Sequence, residues 1–547
     1  MKGDDSKMNL RDISSASTER LAELNRDSSW WTSLSRGDHH VEVLTELGDS
    51  REPGLVPSLI YFALSSRNEA RRAARRAIAK LIACVPVARL AEFDGIARES
   101  AFHWGFGERW RTISPAAVAE FVSEDDRGIL AFASMHANGR VREAALRTLA
   151  AQSDGRELPF LLLRANDWVE PIREHVRAWI SSRLTSGHAA AFLTCLPIVL
   201  RLELSGRADL GWLSKSVGSL LARSECRAVL REGLDSEDRE VRRACLRFID
   251  AADPLASRPA LFAALDDHDS LIRLWAVRRL FDILDSDGRM ALCDRLERDH
   301  FMPIRREVLN ARILHGGDQL SGVLLTALLD RHASIRDLAR FHLKDRLDIA
   351  QFYRDAIAAS GASVIIAIRG LGESGSKTDA DVVAPFLTSR TAKLRKAAVV
   401  SIGRLDVRRF EEELRSALSD NVAGVSAAAC AALEPLIPSK IDVRPFVEML
   451  APESAVFVRK NALRLVTRFA RWIRIPFLLS ACRDPSPEIG ALAAAAVRSW
   501  LRSYNRDFIT PTAAQIAAGI QELRQSQEFL DSRTAKELAA IFQGVNT

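Results

Sequence analysis

The chain is short of lysine, cysteine and aromatic residues, and each shortage removes a class of protein. Only 11 of its 77 basic residues are Lys. Net charge is +6 with pI ≈ 9.0, a thin excess over 547 residues. A dedicated nucleic-acid domain concentrates far more charge of one sign. The Arg-for-Lys bias reads as the composition of a GC-rich bacterial genome rather than as a phosphate-binding device. The seven cysteines are odd in number and widely spaced, with no CxxC. That excludes a disulfide framework and a zinc ribbon and fits a reducing cytoplasm. Aromatics make up 7% of the chain. No apolar run reaches the roughly 18–20 residues needed to cross a bilayer, and residues 1–27 lack the apolar core of a signal peptide. A cytoplasmic protein with no membrane partner is expected.

Catalytic signatures are also missing. The eleven histidines form no HExxH and no Cys/His cluster, and no GxSxG elbow exists. The segment from Gly370 to Thr378 approaches a phosphate-binding loop, but Ser376 stands where Lys would have to follow the last Gly. It is expected to be a turn between units. Acidic pairs such as Asp266-Asp267 read as caps and solvated faces. No catalytic residue, metal or cofactor is expected.

What is present is a period of about 31 residues. Val141, Ile172, Val241, Ile272, Ile304, Ile335, Leu394, Val425, Val458 and Ile489 mark it. Four residues after each marker stands a small or modest apolar side chain, among them Ala145, Cys245, Ala276, Ala339, Ala398 and Ala493. Eight after it stands a larger aliphatic in nine of the ten, the exception being Arg312. These spacings put all three on one helical stripe. The small residue lets a neighbouring helix approach, and a fixed period of this size implies stacked helix pairs. Turns between units carry Gly with an acidic residue, as at Gly48-Asp49, Gly317-Asp318 and Gly372-Glu373. Asp precedes the marker by five residues in six units, and Arg follows it directly in eight. The Asp is placed to cap backbone N–H groups near the helix start, and the Arg to bridge to the Asp of an adjacent unit.

An Asp turn, then Val/Ile-Arg, then Ala and Leu at helical spacing resembles the HEAT repeat, in the short bacterial form of phycobilisome-lyase-type proteins. The resemblance implies an all-α solenoid of antiparallel helix pairs over residues 46–505. It further implies a concave surface, lined by second helices, that binds other proteins. Residues 1–45 are expected to be a mobile tail and a capping helix, and 506–547 a pair of capping helices. Irregular units are expected at 87–126 and 186–235, where the register is lost.

The expected function is therefore a non-enzymatic scaffold or adaptor for protein partners. Nucleic-acid binding is the alternative, since DNA glycosylases for alkylated bases exist on HEAT-like repeats and use Trp and Asp with basic side chains. Trp168, Trp179 and Trp275 lie in or near second helices here, without a matching Trp/Asp pair. A lyase-type subunit is the third reading. Candidate partner-binding residues are the aromatics Trp104, Phe106 and Trp110 of the irregular segment and two basic clusters. Arg72 and Arg76 belong to the first. Lys460, Arg464, Arg468 and Arg471 form the second, on one face if the helix continues through them.

Overall fold

The computed structural model describes residues 9–26, 37–100, 107–203, 210–254, 257–439, 441–504 and 509–544. These residues form 34 α-helices with short 3-10 turns and no strand. The chain divides into two units, Met1–Asp285 and Ser286–Thr547. Each is an α-solenoid of stacked helix pairs.

Every marker sits near the start of a second helix. In the first unit these are Gly139–Gln152, Glu170–Ser182, Arg239–Ala252 and Ser270–Ile283. In the second they are Met302–His315, Ala333–Leu343, Ala392–Leu405, Ala423–Leu433, Val456–Val466 and Pro487–Leu501. The residue four after the marker is at most 3% exposed in all ten, because adjacent helices cross there. Nine markers are buried, and Leu394 is half-buried. An eleventh helix, Asn68–Ala83, follows the same pattern with Ala70, Ala74 and Ile78 buried. Its marker is Ala, too small to stand out in the sequence.

In five of the eight units that carry it, the arginine after the marker does two jobs. Its Nε and Nη2 grip a carboxylate 25 residues later, as in Arg142–Asp167 (2.9 and 2.8 Å), Arg242–Asp267 (2.8 and 3.0 Å), Arg305–Asp330 (2.8 and 2.9 Å) and Arg395–Asp420 (2.6 and 2.9 Å). Arg459 meets Asp484 in the same way (3.0 and 3.1 Å). Its Nη1 donates to carbonyls five or six residues back, as Arg142 does to His136 and Ala137, both at 2.9 Å. The arginine thus ties the turn before its own helix to the turn of the next pair. The aspartate accepts from the N–H two residues on, as Asp167 does from Val169 and Asp420 from Val422. It braces the turn rather than the helix itself. The helix cap falls to a later residue such as Asn138, Asp238 or Asp269.

Two of the expected glycine turns are helical instead. Gly48 lies in the Gly37–Asp49 helix, and the Gly370–Glu373 stretch is the last part of the Val364–Ser374 helix. A Cβ on Gly370 would sit 2.3 Å from the Tyr353 ring and one on Gly372 2.5 Å from Ser401. These glycines admit close neighbours, and the segment has no phosphate-loop geometry. Gly316 and Gly317 do turn the chain, with φ of 72° and 88°.

In the segment 186–235 the described helices are Ala189–Thr194, Leu196–Glu203, Gly211–Leu221 and Arg227–Glu232, without the marker pattern of the regular units. At the chain's far end run Ala513–Ser526, opened by a capping box of Thr512 and Gln515, and Ser532–Gly544. Phe542 of the last helix packs against Trp472 and Trp500.

Candidate partner-binding surfaces

Counted from the marker, Arg72, Arg76 and Lys80 stand two, six and ten residues on, along the Asn68–Ala83 helix. Lys460, Arg464 and Arg468 stand at the same offsets from Val458. No other second helix carries cations at all three offsets. All six side chains are exposed, since these offsets lie opposite the buried stripe. The two stripes belong to different units, and each is described alone.

In the first unit, Arg76 pairs with Asp125 at 2.8 Å and Lys80 with Asp49 at 2.6 Å. Arg76 holds the Asp125 carboxyl below its ordinary range, and Arg72 adds to that pull. Arg75, between them in sequence, points inward to the buried Asp126. With Val41, Thr45, Ala73, Ala77 and the carboxylates Glu42 and Glu69, the three stripe cations line a surface cleft of about 670 Å³.

In the second unit, Lys460 pairs with Glu488, while Arg464 (2.8 Å) and Arg468 (2.5 Å) share Glu434. The Val456–Val466 helix ends before Arg468. Arg471 opens the next helix, Arg471–Ala481, and is half-buried. It does not extend the stripe, because the chain turns between Thr467 and Ala470.

The aromatic candidates fare differently. Trp104 and Phe106 lie outside the described residues. Trp110 is 4% exposed, packed on Phe132 and His136 at ring separations of 5.4 and 5.3 Å. Its carbonyl meets His136 Nε2 at 3.0 Å. Burial removes it from any partner surface, a correction to the expected contact patch. Sequence reasoning gave no role to Asp94, Arg98, His136 or Arg164, which gather around Trp168 and Trp110. The first two fall where the register is lost, and only the exposed Trp168 beside the ladder residue Asp167 hinted at the place.

Chemistry beyond binding finds little footing among the described residues. No group of three or more His, Cys, Asp or Glu is placed to hold a metal. Burial pushes the thiols of Cys195 and Cys245 up to about 12, and those of Cys293, Cys430 and Cys482 up to about 11. These are packing residues rather than nucleophiles. No helix among the described residues is long and apolar enough to cross a membrane.

Residues 227–311 match the family model for HEAT repeats. No curated protein matches the sequence. Among solved structures, importin beta crystallised from polyethylene glycol is similar at 13% identity and a TM-score of 0.32, over 94% of this chain and 78% of that one. The condensin Cnd3–Cnd2 subcomplex of S. pombe is similar at 13% identity and a TM-score of 0.35, over 98% of each. Both likenesses are too weak to speak to function.

Proposed function

We propose that this HEAT-repeat protein is a non-enzymatic scaffold that holds acidic segments of protein partners on the outward faces of its second helices. The carrying observation is the recurrence of three exposed cations at identical offsets on Asn68–Ala83 and around Val456–Val466. Ion pairs between exposed side chains contribute little and exchange readily, so a partner's carboxylates can take the place of Asp49, Asp125, Glu434 and Glu488.

The test is capture of partners by the full chain, compared with charge-reversed variants. Arg72, Arg76 and Lys80 are changed to Glu in one variant, and Lys460, Arg464 and Arg468 in another. Both are expected to fold, to lose a stoichiometric protein partner held by the native chain, and to leave duplex DNA unbound as before. If the native chain holds no stoichiometric protein, or both variants hold it unchanged, the scaffold reading fails. Tight duplex binding by the native chain with a steep salt slope would replace it with nucleic-acid recognition.

A further inference from the structure

Five charged side chains of the first unit form a chain that extends the Arg142–Asp167 rung to three residues outside the ladder, Asp94, Arg98 and Arg164. Arg98 meets Asp94 at 3.1 Å, and Arg164 meets the same carboxylate. Arg164 reaches on to Asp167 at 3.4 Å, and Asp167 binds Arg142 at 2.8 Å. The two end guanidinia both lie over the Trp168 ring, Arg98 at 4.3 Å and Arg142 at 4.4 Å from its centre. The indole therefore closes the chain into a ring.

That ring holds three cations and two carboxylates. Arg142, Arg164 and Asp167 are buried, and Arg98 and Asp94 are less than one-fifth exposed. Asp167 has no capacity to spare, since it serves Arg142, Arg164 and the Val169 N–H. The Arg164 Nε has no hydrogen-bond acceptor among the described residues. A surplus positive charge shielded from water is costly unless an anion offsets it.

An opening for that anion lies beside the ring. Arg98 lines a cavity of about 220 Å³ together with Trp110, Arg111, Phe132, Met135 and His136. None of its lining residues among the described residues is a carboxylate. His136 adds no charge: its Nδ1 accepts from the Asn138 N–H at 2.9 Å, so its Nε2 carries the proton toward the Trp110 carbonyl. Burial holds its pKa below the ordinary value. The described lining thus combines two arginines with aromatic and thioether side chains.

We infer that this cavity binds a small organic carboxylate, with its charge between Arg98 and Arg111 and an apolar body of one ring or a short branched chain against Trp110, Phe132 and Met135. Planar guanidinium forks match a carboxylate, and two of them suit a single negative charge. The apolar walls disfavour a bare inorganic ion, which would leave them in contact with nothing. The site is independent of the stripe surfaces and stands or falls without them.

Calorimetric titration of the full chain tests it, with phenylacetate as the probe. Benzylamine, phenethyl alcohol and inorganic phosphate serve as comparators. Phenylacetate is expected to bind, with each comparator weaker by about tenfold or more, the loss of one charge-assisted contact. Arg111→Gln is expected to weaken phenylacetate by about the same factor. Arg111 is exposed and outside the ring, so this variant keeps the test valid if Arg98→Gln does not fold. Circular dichroism of each variant confirms the fold. The inference is overturned if folded native protein ignores phenylacetate, if the amine, alcohol or phosphate binds as tightly, or if folded Arg111→Gln binds it unchanged.

Discussion

Arg142 in the first unit and Arg336 in the second hold the same place in their repeats, yet they find their carboxylates differently. Arg142 meets Asp167, 25 residues on. Arg336 meets Glu373, 37 residues on, because Gly361 stands where the aspartate would be. Both donate Nη1 to the turn before their own helix, Arg142 to His136 and Arg336 to Asp330. The arginine is therefore fixed by its local turn, and the carboxylate is whatever the neighbouring pair supplies. The substitute site is also more crowded. Arg340 at 2.8 Å and Arg404 at 3.4 Å share Glu373 with Arg336.

The comparison breaks first at its more buried rung. Asp167→Asn removes the negative charge and one acceptor oxygen facing two buried arginines and is expected to cost about 3–5 kcal/mol, the penalty of leaving a buried charge unpaired. Chemical denaturation measures it, and a loss no larger than at an exposed pair would mean the first-unit rung is dispensable. Glu373→Gln should cost less, about 2–3 kcal/mol, because Arg340 keeps Asp337 and Arg404 is half-exposed. If it costs more than Asp167→Asn, the recruited carboxylate is the stronger anchor and the order reverses. Ala398→Leu probes the packing alone, at a crossing that carries no charge. It is expected to cost about 1–3 kcal/mol by overpacking, and an unchanged melting midpoint would show that Ala398 is not the crossing point.

Acid gives the smallest and most diffuse effect. Burial opposes ionisation of Asp167 and Glu373, but the guanidinia of Arg142 for one and of Arg336 and Arg340 for the other hold both pKa values below normal. A carboxyl depressed in the folded state contributes stability that is complete above its unfolded pKa and is lost as pH falls through the folded value. Melting temperature should therefore hold steady down to the ordinary carboxyl values of 4.5 for Glu and 3.8 for Asp, then fall below them. A decline that begins well above that range would point to a different group.

The solenoid was legible because each unit repeats the same contacts. Ala145, Ala276 and Ala398 each report one crossing, so an error at one position is outvoted by the others. The Asp–Arg ladder was legible as a bond between units, though the helix cap was misplaced by two residues. Gly370 and Gly372 misled because glycine for turning and glycine for close approach look alike in sequence; Tyr353 and Ser401, which decide between them, are distant in the chain. Trp110 misled for a related reason. A cluster of aromatics has no period, so nothing in the sequence says which rings face inward. The stripe of Lys460, Arg464 and Arg468 was visible, but Arg471 was added by extending a helix past its end. The ring around Trp168 was hidden because Asp94 and Arg98 come from the segment without register.

Each regular rung joins an arginine of one pair to an aspartate of the next at a constant separation of 25 residues. Excising the period that begins at Asp267 brings Asp299 to Arg242, whereas excising the one that begins at Asp330 brings Gly361 to Arg305. Gene-level slippage by a full repeat would then keep the linkage only where the next unit carries the aspartate, so the joints restrict where such an array can change length.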